Sequence, residues 1–440
     1  MSLDIKNQNA SDRLSTIEFT ILIALMVSLS ALSTDMMLPG IATMSEDLGA
    51  VNRNAPQFII SALLLGLTFG QLFYGPLSDS FGRRPLVFLG FSIFLLGTLI
   101  CIFAPSFKVL LIGRLLQGFG AAGPRVVGTS IVRDLYSGRH MARILSFMMS
   151  FFIIVPTIAP FIGQYILTIA GWREIFYVLL GSATTGFIWF GVRQGETLHP
   201  EYKRVFSPKT ILGGFIEVAK NKICLLSTLM AGCMIGAFYS FLMSSPQIFK
   251  DLYGITDNFP NYFAILAICA GGLTFVNAKL VMTLGIRTVC KFALILKLTA
   301  SSILLICLFT FPSLPFAVFM IWACIIFAVQ GGVLFGNFNA MAMDPVGHLA
   351  GIAAAFVATL STGLGVLIGT IIGQIYNGTL VPLVTSFIIA AAFSLILLSY
   401  STPKNTTPSG MAMFGHHLNH QAHPHHTQDS GHTNDKSFGD

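Results

Sequence analysis

Charge is what this sequence has least of. Of 440 residues only 10% are Asp, Glu, Lys or Arg, while 54% are hydrophobic. A soluble globular domain carries roughly 25% charged residues, so a water-soluble fold is excluded. The seven cysteines include no CxxC pair and fall in or at the ends of apolar runs. They read as small core residues, not as disulfides or metal ligands. No GxxxxGK[ST], HExxH or GxSxG stretch occurs, which argues against ATP-driven pumping and against hydrolytic chemistry in the membrane. The net charge of +7 is spread over short loops, so no nucleic-acid partner is expected.

What the chain does have is long apolar runs. A helix needs about 20 such residues to span about 30 Å of hydrocarbon. Runs of that size occur near 18–41, 56–76, 86–104, 109–132, 144–169 and 175–192, then near 223–245, 260–280, 289–310, 315–337, 350–373 and 383–400. The expected fold is an all-α integral membrane protein with twelve transmembrane helices in two pseudo-symmetric halves, 18–192 and 223–400. Residues 1–17 form a polar N-terminal segment without a cleavage site, so the first helix is retained. Residues 193–222 form a polar linker, and 401–440 a disordered polar tail. Lys and Arg set the orientation: one set of loops holds only Arg53, Lys108, Arg173 and Lys250. That face is outside and both termini are cytoplasmic.

Two matches support duplication. LSDSFGRR (Leu77 to Arg84) after the second span parallels LVMTLGIR (Leu280 to Arg287) after the eighth. RLLQG (Arg114 to Gly118) in the fourth parallels FAVQG (Phe327 to Gly331) in the tenth. The tail carries His416, His417, His420, His423, His425 and His426. Such a cluster can bind Zn, Ni or Cu, but a solvated tail explains it as simply, and no metal or cofactor is expected.

Several polar residues sit where apolar ones belong. Asp35, in STDMMLPG (Ser33 to Gly40), lies inside the first span. An ionised carboxylate there is costly unless paired, wetted or protonated. The fourth span carries Arg114 and Arg125, and arginine does not deprotonate. At 1.5 Å per residue, Arg114 and Asp35 lie roughly 9 and roughly 10 Å from the same surface. Gln117, one turn on, is placed to orient the Arg114 guanidinium. Arg125 either faces a cavity or snorkels to the cytoplasmic surface, and Lys297 in the ninth span is expected to snorkel. Asn337 and Asn339 are expected to bond between helices. Between the second and third spans, GPLSDSFGRRP supplies Gly75 and Gly82 for tight turns. It also supplies Asp79, Arg83 and Arg84, and Asp134 at the end of the fourth span completes a conformational latch. In the fifth span VPTIAPFIG, Pro156 and Pro160 kink the helix beside Gly163.

GPLSDSFGRR resembles the signature Gly-x-x-x-Asp-Arg-x-Gly-Arg-Arg of the major facilitator superfamily, with Ser80 in place of its first Arg. STDMMLPGIATMSEDLG, RLLQGFGAA, IVRDLY, APFIGQYI with GWREIF, and GNFNAMAMDPVGHLAGIAAA are similar to stretches of its bicyclomycin/chloramphenicol resistance (Bcr/CflA) group. The antiporter pattern Gly-Pro-x-x-Gly-Gly is partly present, as Ala159-Pro160 and Gly163-Gln164. The resemblance implies a monomeric inner-membrane antiporter that exports small amphipathic compounds against protons by alternating access, driven by the proton gradient. It also implies that the first and fourth helices line one cavity, so Asp35 and Arg114 are expected to face each other there, directly or through water. A dedicated exporter of a metabolite such as a siderophore or sugar, and a membrane receptor that no longer transports, remain alternatives.

Overall fold

A computed structural model describes residues 14–203, 207–311 and 313–401. Most of the expected N-terminal segment and the tail lie outside the described residues. Ser15 caps the first helix by accepting the Glu18 N–H at 3.1 Å. That helix, α1 (Thr16–Asp35), stops because Pro39 has no N–H to continue the ladder. A 3-10 turn, Leu38–Gly40, leads into α2 (Ile41–Asp47). There follow α3 (Pro56–Phe81), α4 (Arg83–Ile102), α5 (Phe107–Leu135), α6 (Gly138–Ile169) and α7 (Trp172–Arg193). After them come α8 (Pro208–Lys220), α9 (Lys222–Tyr253), α10 (Phe259–Leu284) and α11 (Ile286–Thr310). The chain closes with α12 (Phe316–Val329), a π-helical turn Gln330–Leu334, α13 (Phe335–Met343), α14 (Ala350–Gln374) and α15 (Val381–Tyr400). No strand occurs among the described residues.

Nine helical stretches among the described residues are long and apolar enough to cross a bilayer. This differs from the expected twelve for identifiable reasons. Arg114, Arg125 and its glycines make α5 too polar by this measure, and of α6 only the shorter apolar stretch Ile154–Ile169 lies wholly among residues whose side chains are described. Phe316–Gln374 counts once, as a single stretch of 59 residues, although the 3-10 turn Asp344–Leu349 divides it.

Within the first helix set, α5 packs against α3 and α4, while α1 packs against α5, α6 and α7. In the second, α9 packs against α13, α14 and α15, and α11 against α15. The sets meet where α3 lies along α14 and α9, and where α6 lies along α10. One helix in the linker was not foreseen. The apolar side of α8 brings Phe215 to 6.0 Å from Phe356 and buries Val218. Spacing of Ile211, Phe215 and Val218 at three to four residues is the signal that marks it.

Small residues set how close these helices come. A Cβ on Gly118 would collide with the Leu63 carbonyl of α3, and one on Gly66 with the Leu115 carbonyl of α5. Contact of this kind gains dispersion that membrane helices cannot obtain from the hydrophobic effect. Gly118→Ala is therefore expected to destabilise the purified protein by about 1–3 kcal/mol through overpacking. Gly181→Ala, where nothing approaches within 4 Å, should leave thermal stability unchanged or slightly raised; a thermal-shift assay in detergent compares the two.

Candidate functional site between the helix sets

Arg114 is fully buried and does not pair with Asp35. Its Nη2 donates to the Ser33 carbonyl at 2.9 Å, its Nε to the Ile59 carbonyl at 3.2 Å, and its Nη1 to Gln117 Oε1 at 2.6 Å. The physical reason lies in the end of α1. The last carbonyls of a helix have no intrahelical donor. Met36 N–H takes that of Leu32 at 3.1 Å, and the Ser33 carbonyl is left to the guanidinium. A cation is favoured at this negative end of the helix dipole. Arg114 does reach the end of α1, but it meets the helix backbone and not the carboxylate two residues on. Gln117 is placed as foreseen, and its Nε2 donates in turn to Thr98 Oγ1 of α4 at 2.9 Å.

Asp35 itself is only 6% exposed and forms no ion pair among the described residues. Its carboxyl lies within electrostatic reach of the Tyr239 phenol on α9, and Arg125 acts on the same phenol from α5. Asp35 and Arg125 therefore address the second helix set, and Tyr239 is the residue that sequence reading missed. A tyrosine among many aromatics carries no signal until α9 is seen to pack against the turn that follows α1. Gly163, beside Pro160, allows α6 to press on the broken end of α1: a Cβ there would collide with the Met36 carbonyl. Pro156 and Pro160 sit inside α6, which continues through both.

At one end of the bundle the two helix sets are bonded shut. Arg53 Nη2 donates to Asp251 Oδ2 at 2.8 Å, and Gln57 Nε2 to Gln247 Oε1 at 2.7 Å. Asn54 Nδ2 donates to the carbonyls of Gln374 and Tyr376 at 3.0 and 2.9 Å, and Gln374 Nε2 returns a bond to the Asn54 carbonyl at 2.9 Å. Most of these partners are neutral.

The opposite end holds the latch residues and a cavity of about 670 Å³, lined among others by Asp79, Arg83, Asp134, His199 and the first turn of α14. Arg83 Nε donates to Asp134 Oδ2 at 2.9 Å, while Nη1 donates to Asp79 Oδ1 and to Ser78 Oγ. Gly82, at φ +105°, turns the chain between α3 and α4. Arg84 departs from the expected pairing: its Nη2 donates to the Gly191 carbonyl at 2.9 Å. Glu196, unforeseen, takes the acid's place at the start of α4. It accepts the N–H groups of Arg83 and Arg84 at 2.9 and 3.1 Å, and those of Thr197 and Leu198 at 3.0 Å each. Gly75 faces the second helix set, where a Cβ would just reach Ala355 of α14.

Other expectations divide. Asn337 and Asn277 exchange bonds between α13 and α10 at 3.0 and 3.4 Å, whereas Asn339 bonds the Phe335 carbonyl of its own helix. Lys297 does not snorkel; it is fully buried. No cluster of three or more potential metal ligands occurs among the described residues. The histidines from His416 to His426 lie outside them.

The chain matches the family model described as Major Facilitator Superfamily over residues 23–370. It is 30% identical to an uncharacterized MFS-type transporter of Bacillus subtilis, YdgK, over 86% of this chain and 93% of that one. It is 26% identical to a bicyclomycin resistance protein homolog of Haemophilus influenzae, over 90% and 99%. Multidrug resistance protein D of Escherichia coli is 28% identical, over 85% and 93%. In fold it is similar to the crystal structure of the human organic anion transporter TETRAN, with a TM-score of 0.65 and 14% identity over 89% of this chain and all of that one.

The Arg114 fork has a measurable consequence. Lysine cannot reproduce three bonds to acceptors on α1, α3 and α5. Arg114→Lys is expected to cost about 1–3 kcal/mol by leaving buried acceptors unmet, read as a lower melting temperature in detergent.

Proposed function

The chain belongs to the major facilitator superfamily, and from that premise we propose that it is a proton-coupled antiporter exporting small amphipathic compounds, drugs among them. Twelve crossings with both termini cytoplasmic complete the proposal, on the Lys and Arg bias of the loops. The end closed by Arg53, Asn54 and Gln57 is then the outer one, and the cavity beside the latch opens to the cytoplasm. Relatives named for bicyclomycin and multidrug resistance support drug export.

The observation that carries the reading is Asp35, a buried carboxyl that forms no ion pair among the described residues, at the face between the helix sets. An intramembrane acid so placed marks a transport pathway. In the cycle, substrate enters from the cytoplasm and meets Asp35, Tyr239 and Arg125; the carboxyl releases its proton inward as it takes the substrate. Closure of the latch end and parting of the Arg53 end carry the substrate out. A proton from outside then displaces it from the carboxyl. Arg114 keeps its charge throughout and holds the end of α1 in place.

Asp35→Asn should fold and still bind substrate, yet lose uphill drug export driven by an imposed pH gradient in proteoliposomes. Undiminished proton-driven export in that variant would overturn the assignment. The closed end makes a separate prediction. A disulfide formed between Gln57→Cys and Gln247→Cys should arrest export, and reductant should restore it.

A further inference from the structure

Lys297 is the buried cation that the reading above leaves unused. It lies on α11 at 0% exposure. Its Nζ donates to Gln330 Oε1 of the π-helical turn, meets Met234 Sδ of α9 at 3.3 Å, and lies 4.9 Å from the centre of the Phe387 ring on α15. Acids are scarce around it: residues 222–401 contain only Asp251, Asp257 and Asp344, all at or beyond helix ends. Away from the first and last turns, the other ionisable residues of its own helix and of the helices packed about it are Cys290 and Lys291 of α11, Cys233 and Tyr239 of α9, Cys269 and Lys279 of α10 and Cys324 of α12. None forms a hydrogen bond or ion pair with the amine.

The internal duplication shows what is unusual here. Gln330 occupies in FAVQG the place of Gln117 in RLLQG. Phe94 lies ten residues after Arg84, and Lys297 ten residues after Arg287. The first set thus has Arg114, Gln117 and Phe94 where the second has Phe327, Gln330 and Lys297. Each holds one buried cation against the equivalent glutamine, but the cation has moved to the neighbouring helix and changed type. Arginine keeps its proton, whereas a buried lysine can give it up. Gln117 sits in a regular helix and Gln330 in a π-helical turn, a feature common where helices rearrange for function.

We propose that Lys297 is a second proton-carrying group of the transport cycle. When α11 and the Gln330 turn part enough to admit water, the ammonium gives one proton to that water. The neutral amine then accepts a hydrogen bond from Gln330 Nε2 after its side-chain amide reorients. Re-protonation reverses both changes, so the state of the amine is read by the turn that joins α12 to α13. This proposal rests on the antiport reading for its place in the cycle, but not for its proton.

The test counts protons on the purified full chain in nanodiscs, without substrate. On acidification from about pH 9 to about pH 5, the ordinary carboxyl, histidine and terminal groups titrate alike in each variant. The unaltered protein is expected to take up one proton more than Lys297→Arg, whose cation is permanent. Equal uptake would overturn the proposal. Lys297→Met, should it fold, must match Lys297→Arg; Lys297→Arg alone suffices if it does not. In proteoliposomes loaded with bicyclomycin, the pH profile of drug-linked proton flux should flatten in Lys297→Arg. An unchanged profile beside normal flux would remove Lys297 from the cycle. Absence of flux in the unaltered protein would instead strike the antiport reading, leaving the proton count to decide the protonation.

Discussion

The interrupted end of α1 is the constraint on which the rest of the site depends. Pro39 stops the helix inside the bundle, and buried carbonyls without donors are costly. Arg114 meets that need from α5, and the close glycine contacts between α3 and α5 bring the Ile59 carbonyl within the same fork. Because the arginine is spent on backbone, it does not neutralise Asp35. The carboxyl is left to face α9, where a change in the relation of the helix sets changes its surroundings. A direct Asp35–Arg114 pair would instead tie the carboxyl down, since uncoupling a buried pair leaves an uncompensated charge at a cost of about 3–5 kcal/mol.

The two ends of the bundle are built from different chemistry. Around Arg53 the contacts between helix sets are chiefly side-chain amides on carbonyls, with one partly exposed ion pair. Each such bond contributes about 0.5–1.5 kcal/mol net, so the seam can open when water replaces its partners. At the latch, charge holds α3, α4, α5 and the segment after α7 together within one helix set. That arrangement makes a stiff body which can move as a unit.

Much of the site was legible in the sequence, and the failures share a cause. The level of Arg114 along the bundle and the clustering of Arg83, Asp79 and Asp134 follow from helix rise and from loop position. Tyr239, Glu196 and the burial of Lys297 did not follow. A tyrosine among aromatics, a glutamate in a polar linker and a lysine near a helix end each have ordinary explanations that periodicity cannot reject. Only the packing partner distinguishes them.

The sequence by itself determined the membrane environment, the all-helical fold and the presence of charge in apolar helices. Composition and chain-local geometry suffice for these, since every backbone bond in a membrane helix closes within its own segment. The tertiary structure alone decided which partner each charge found. Arg114 went to carbonyls rather than to Asp35, and Lys297 inward rather than to the surface. Side-chain direction around a helix, combined with a neighbour's backbone lying within 3 Å or so, is a property of two helices together, and no one-dimensional pattern carries it.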